Sequence, residues 1–160
     1  MRVHLGSDHA GFELKAHLIA HLVSLGHEPV DCGAFDYDAQ DDYPPFCFEV
    51  GERTVTEPGS LGVVIGGSGN GEQIAANKVP GVRAALVWNT ATAQLARQHN
   101  DANVVSIGAR QQSDEEATEL VLEFLRTPFS GDERHVRRIG LVSDYERDRH
   151  RPAGGLPTRP

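Results

Sequence analysis

Short, continuous apolar runs alternate along this chain with segments whose apolar residues recur every three or four positions. Val3 to Gly6 reads as a strand, and Gly11 to Ser24 follows with Phe12, Leu14, Leu18, Ile19, Leu22 and Val23 at helical spacing. Glu28 to Cys32 is a second short strand, and Leu61 to Ile65 (Leu-Gly-Val-Val-Ile) is a third with no polar residue. Gly71 to Asn77 predicts a short helix, Arg83 to Trp88 a strand, Thr90 to Gln98 a helix and Asn103 to Ile107 a fifth strand. From Asp114 to Leu125, Ala117, Leu120, Val121, Phe124 and Leu125 share one helical face.

Repeated strand–helix alternation calls for right-handed βαβ units and a parallel sheet covered on both sides. The all-apolar Leu61–Ile65 run fits a strand buried on both faces. The expected fold is therefore α/β, a Rossmann-like three-layer α/β/α sandwich on a five-stranded parallel sheet. We expect one domain over residues 1–150 and a disordered Pro- and Gly-rich tail over 151–160.

Two segments depart from the alternation. Residues 33–45 carry Asp36, Asp38, Asp41, Asp42, Pro44 and Pro45, and read as a solvated acidic loop leading to a helix over about 45–55. No EF-hand spacing is present. Residues 131–149 predict a charged helix on which Val136, Ile139 and Val142 make an apolar stripe. Arg134 and Arg138 lie far round the helix from Val136 and should point away from that stripe.

The 160 residues hold 15 Lys+Arg and 23 Asp+Glu, a formal charge of −8. That balance argues against nucleic-acid or anionic-membrane binding, because the long-range field repels both. No run is apolar enough to span a bilayer, and the N-terminus does not read as a signal peptide. Cys32 and Cys47 have no metal-site spacing and read as buried thiols in a reducing compartment. We therefore expect a cytoplasmic protein.

The chemistry concentrates in Gly66-Gly67-Ser68-Gly69-Asn70-Gly71-Glu72-Gln73-Ile74-Ala75-Ala76-Asn77-Lys78, where a strand gives way to a helix. Glycines at a strand's carboxyl end let backbone amides approach an anion. The segment is not a P-loop, since no Gly-Lys-Ser/Thr follows. It is also a poor dinucleotide fingerprint, with Glu72 where a small residue belongs and no acid at the end of the next strand. A carboxylate inside an anion-stabilising loop suits proton abstraction beside a carbonyl, the amides holding the enediolate oxygen. The local sequence equally allows Glu72 simply to complete a helix N-terminus.

The loops after the first, third and fifth strands open on one edge of a parallel sheet, so Asp8, His9, Glu72 and Arg110 can converge. His99 and Asn100 end a helix and belong to the opposite edge. Bland alternatives stand beside each role: Asp8 as a helix cap, His99 as a dipole partner, Arg134 and Arg138 as a solvated face.

Taken together, Gly6-Ser7-Asp8-His9-Ala10-Gly11, Gly67 through Lys78, His99-Asn100, Gly108-Ala109-Arg110 and the Arg134/Arg138 helix resemble ribose-5-phosphate isomerase type B, within a wider family that includes galactose-6-phosphate isomerase subunits. The resemblance implies an aldose–ketose isomerase of the pentose phosphate pathway with Glu72 as the base. Many family members use a cysteine at the position of Gly66 instead, and this chain resembles the glutamate branch. The resemblance further implies that His99 assists ring opening and that Gly67, Ser68, Gly69, Asn70 and Gly71 steady the enediolate. Asp8, His9 and Asn100 would hold sugar hydroxyls, and Arg110, Arg134 and Arg138 would hold substrate and phosphate. It implies no metal or cofactor, a sugar-phosphate substrate, and a homodimer whose active sites draw on both subunits, which would bring His99 to the right edge. Isomerisation of a six-carbon sugar phosphate (allose or galactose 6-phosphate) and non-catalytic sugar-phosphate binding are the alternatives.

Overall fold

The computed structural model describes residues 1–149. Five strands, β1 (Arg2–Ser7), β2 (Glu28–Asp31), β3 (Leu61–Gly66), β4 (Ala84–Leu86) and β5 (Val104–Gly108), form one parallel sheet in the order β2-β1-β3-β5-β4. Six helices connect or follow them: α1 (Phe12–Ser24), α2 (Pro44–Thr56), α3 (Asn70–Ala76), α4 (Thr90–Asn100), α5 (Asp114–Arg126) and α6 (Glu133–Asp148). This is the expected α/β sandwich. The tail expected to be disordered, and the end of the domain at residue 150, lie outside the described residues.

Alternation along the central strands builds a core on each face of the sheet. Val3, Leu5, Val63, Ile65, Val105 and Ile107 pack with Leu14, Leu18, Leu22, Leu120, Val121 and Phe124 on the α1 and α5 side. Val64 and Val104 point the other way, onto Cys47, Val50, Ala75 and Ala76 of α2 and α3. β3 is buried along its whole length, which is why its sequence has no polar position. Ser113 and Glu116 close a capping box at the start of α5, which fixes where that helix begins.

The edge strands are shorter than their apolar runs suggest. β4 ends at Leu86 because it pairs only with β5, and Trp88 beyond it is exposed. The chain leaves β1 towards β2 on one side and reaches β3 on the other, so the connections diverge between β1 and β3. In open α/β sheets the crevice at the carboxyl ends of such strands is where ligands bind. The β1 loop with Asp8 and His9 and the β3 loop with Gly67–Glu72 flank that crevice.

Two expectations fail. Residues 33–45 are not uniformly solvated: Asp36, Asp38 and Asp42 are exposed, but Asp41 turns inward onto His9. The α6 stripe does not pack on the chain's own core. Val136 and Val142 are 52% and 61% exposed, and His135 is the buried residue of the helix. Arg138 also shares the walls of one concavity with Ile139 and Val142, so cation and stripe are not on opposite faces there. Among the described residues no helix is long and apolar enough to cross a membrane.

Candidate active site

Glu72 stands in the first turn of α3, 4% exposed, with its carboxylate against the Gly66 backbone. A side chain at Gly66 would occupy the carboxylate's own space, its Cβ overlapping Oε1 and Cδ and lying 2.7 Å from Oε2. Burial lifts the Glu72 carboxyl above the ordinary glutamate range. Its own amide opposes the rise, nearby Asp8 adds to it, and the Gly69 amide opposes it again. The loop amides therefore already favour negative charge at this place, while burial makes the carboxylate more basic.

Left-handed backbone shapes the loop. Gly69 has φ +78°, and a Cβ there would lie 2.6 Å from Leu86 Cδ1 and 3.0 Å from the Ile107 carbonyl carbon. The buried Ser106 hydroxyl donates to the Gly69 carbonyl at 2.7 Å and ties the loop to β5. The Asn70 amide and its side-chain nitrogen both reach the Ser68 hydroxyl, at 3.3 and 3.2 Å.

Asp8, buried at the end of β1, accepts through Oδ1 from the amides of Ala10 (3.0 Å) and Gly11 (3.3 Å). It is thus a helix cap as well as a neighbour of Glu72. His9 is half-buried beside it. Arg110 follows β5, where its amide donates to the Gly67 carbonyl at 3.1 Å and its guanidinium lies over Gly67. The expected convergence of Asp8, His9, the glycine loop, Glu72 and Arg110 on one edge is what the fold produces.

His99, Asn100, Arg134 and Arg138 are not brought to that edge. His99 and Asn100 end α4, and with Arg138 they line a concavity of about 450 Å³ that also includes Arg83 and Ala84 at the start of β4. Opposite ends of a five-residue strand are about 17 Å apart. The two groups of residues therefore lie at opposite ends of the sheet. Arg134 lies at the start of α6, exposed, and its contact with Asp132 is loose at 3.9 Å. Arg110 and Arg138 form no ion pair among the described residues.

A cavity of about 510 Å³ beside the loop is lined by Ser68, Asn70, Leu86, Trp88, Gly108 and Gln111, and Glu72 is not among its walls. A larger one, about 690 Å³, lies at the opposite edge. Its Arg83 and Arg97 are taken up by backbone carbonyls and Asp101, and its Arg126 by Glu123.

Sequence reasoning missed three neighbours of these residues. Tyr43 lies over Gly71, its hydroxyl 2.9 Å from where a Cβ would stand. Asp41 holds His9. His135 is 2% exposed, its ring centroid 4.2 Å from that of His99 and its Nδ1 2.9 Å from the Ser130 hydroxyl. Burial first, and His99 next, lower His135 below the ordinary histidine range and keep it neutral. No local signal distinguished Asp41 from its acidic neighbours or His135 from the other histidines.

Among the described residues, Asp8, His9 and Asp41 bring three possible metal-ligand atoms within 4.8 Å of one another. The trio is already engaged in hydrogen bonds, His9 with Asp41 and Asp8 with two amides. Burial above all, and next the charges of Glu72 and Asp8, hold the Cys47 thiol far above the ordinary range. It is a protonated thiol of the core beneath α2 and α3.

Residues 3–142 match the sequence profile of the family described as Ribose/Galactose Isomerase. The chain belongs to that family. It is 60% identical over 152 residues to a Mycolicibacterium paratuberculosis protein named ribose-5-phosphate isomerase B, covering 95% of this chain and 96% of the relative. A Mycobacterium tuberculosis protein of the same name is 58% identical over 152 residues, covering 95% and 94%. Among solved structures, Mycoplasma genitalium ribose-5-phosphate isomerase B with bound ribulose-5-phosphate superposes with a TM-score of 0.88 at 42% identity, covering 92% of this chain and 97% of that one. The Clostridium thermocellum enzyme gives 0.89 at 37% identity, over 94% and 100%.

Proposed function

We propose that this chain is an aldose–ketose isomerase interconverting D-ribose 5-phosphate and D-ribulose 5-phosphate through an enediolate. The observation that carries the reading is the buried Glu72 carboxylate, set inside a glycine loop at the carboxyl edge of the sheet. The names borne by relatives at 58–60% identity choose the five-carbon substrate over a hexose phosphate.

In the open-chain aldose the C2 hydrogen lies next to the C1 carbonyl. Glu72 takes it as a proton, and the electron pair left behind moves to the carbonyl oxygen. The loop's remaining amides, those of Gly67, Ser68 and Gly71, are offered to that oxygen, where they stabilise charge that exists only after proton transfer. Returning the proton to C1, with the O2 proton passing to O1, gives the ketose. A base raised above the ordinary carboxylate range is better matched to a weakly acidic C–H at neutral pH.

The same proposal includes a homodimer with shared sites. His99, Asn100, Arg134 and Arg138 cannot reach Glu72 of their own chain, so a second copy supplies them: His99 for ring opening, Asn100 for hydroxyls, the arginines for phosphate. The exposed Val136, Leu141, Val142 and Tyr145 on α6 support this, as apolar surface that a partner would cover. Guanidiniums suit a phosphate because they bind its oxygens in pairs. Cys32 and Cys47, both free and buried, agree with a cytoplasmic enzyme of pentose phosphate metabolism.

The test is Glu72→Gln, which keeps shape and removes the base. Turnover of ribose 5-phosphate should fall at least a thousandfold while the substrate still binds, a loss of about 4 kcal/mol in transition-state stabilisation. A variant within tenfold of the parent's rate rejects Glu72 as the base.

A further inference from the structure

We infer that Asp41 is a positioning residue for His9, fixing which ring nitrogen faces the substrate. This rests on the proposed role of His9 as a substrate ligand. A single carboxylate oxygen, Asp41 Oδ1, holds His9 twice: the His9 amide donates to it at 3.0 Å, and ring Nδ1 lies 2.7 Å from it. The two residues are 32 positions apart, so local sequence does not impose the contact. A carboxylate only accepts, so Nδ1 must carry the hydrogen, and Nε2, which makes no hydrogen bond among the described residues, is the nitrogen left for a ligand. The backbone bond fixes where the ring is attached, and the side-chain bond fixes its rotation.

The environment sets Asp41 apart from the acids around it. Its side chain is 10% exposed, while Asp36, Asp38 and Asp42 are open to water. Its other oxygen, Oδ2, is buried with no hydrogen-bond partner. Burying a carboxylate with an orphaned oxygen costs stability, so the fold alone gives no reason to keep it there. Its amide donates to the Asp38 carbonyl at 3.1 Å, a tight turn that aims the side chain inward. The acidic loop thus reaches across the top of β1 to orient a residue of the site.

An isosteric change separates positioning from packing. Asparagine at position 41 can present either an acceptor or a donor to Nδ1, which frees the tautomer without removing volume. Asp41→Asn should raise KM for ribose 5-phosphate about tenfold and leave kcat within about threefold, as loss of uniform binding does. In a His9→Asn background the same change should do nothing further, because its effect passes through the ring. Nitrogen-15 spectra of the His9 ring should show a protonated Nδ1 in the parent and a mixture of tautomers in Asp41→Asn. Equal losses from Asp41→Asn with and without His9 overturn the inference and leave a purely structural role. If His9→Asn impairs binding and Asp41→Asn does not, the inference alone fails. If His9→Asn itself changes nothing, the substrate role of His9 falls and the inference with it.

Discussion

Gly66→Ala would place one methyl group inside the volume now held by the Glu72 carboxylate. The new Cβ would stand 2.7 Å from Oε2 and would overlap Oε1 and Cδ outright. An ordinary carbon–oxygen contact is about 3.4 Å, so even Oε2 must retreat by about 0.7 Å and the other two atoms by more. The obstacle is the end of a flexible side chain and not backbone, so the strand and its ladder survive and the fold should tolerate the change. The cost falls on placement. A displacement of about 1 Å in a reacting group costs roughly a hundredfold in rate. We expect kcat for ribose 5-phosphate to drop about a hundredfold, with KM little altered because the arginines are untouched. The assay is initial-rate formation of ribulose 5-phosphate, with melting temperature and circular dichroism as controls for folding. A Gly66→Ala enzyme within about threefold of the parent's kcat would refute the reasoning, since it would show that the carboxylate need not occupy this place. By the same geometry a cysteine at 66 and this conformation of Glu72 compete for one volume, so a chain should use one base or the other.

Glu72→Gln should melt at the same temperature as the parent or higher at pH 7–8. Its raised carboxyl weakens the folded state as pH rises through the folded value, and the amide removes that penalty; a clearly lower melting point contradicts this. Co-expressing Glu72→Gln with His99→Asn under separate tags and isolating the doubly tagged dimer should restore about one half of parental activity, because a mixed dimer with shared sites keeps one of its two sites intact; no recovery would confine each site to one chain. Arg138→Ala should weaken ribose 5-phosphate binding far more than binding of unphosphorylated ribose, and equal losses would reject its phosphate role. His4, fully buried on β1 with neither ring nitrogen hydrogen-bonded, is held below the ordinary histidine range by burial, against the pull of Glu57. Stability should therefore fall as pH drops below about 6.5, where the unfolded chain takes up a proton that the folded one refuses. His4→Leu should flatten that part of a denaturation-midpoint profile, and an unchanged profile would exonerate His4.

The sandwich was legible because its signals are local. Leu61–Ile65 has no polar residue since both faces of β3 are covered, and the apolar spacing of α1 and α5 marks the faces they bury. The glycine loop and Glu72 stood out for the same reason: loop, carboxylate and helix start are contiguous. Asp8, His9 and Arg110 could be placed on the same edge from topology alone, because the carboxyl ends of parallel strands all lie on one edge of the sheet. What pairs across the fold could not be read. Asp41 sits among acids that differ from it only in which way the turn aims them, and His135 looks like seven other histidines until α6 lays it against His99. On α6 the spacing from Val136 set Arg138 opposite the stripe, but Val142, four residues further on, lies on the side of Arg138 and shares a concavity with it. Sequence thus determined the layers, the loop and the carboxylate within it, through contacts a few residues long. The orientation of His9, the volume shared by Gly66 and Glu72, and the separation of His99 and Arg138 from Glu72 depend on residues far apart in the chain, and only three-dimensional packing decides which of them meet.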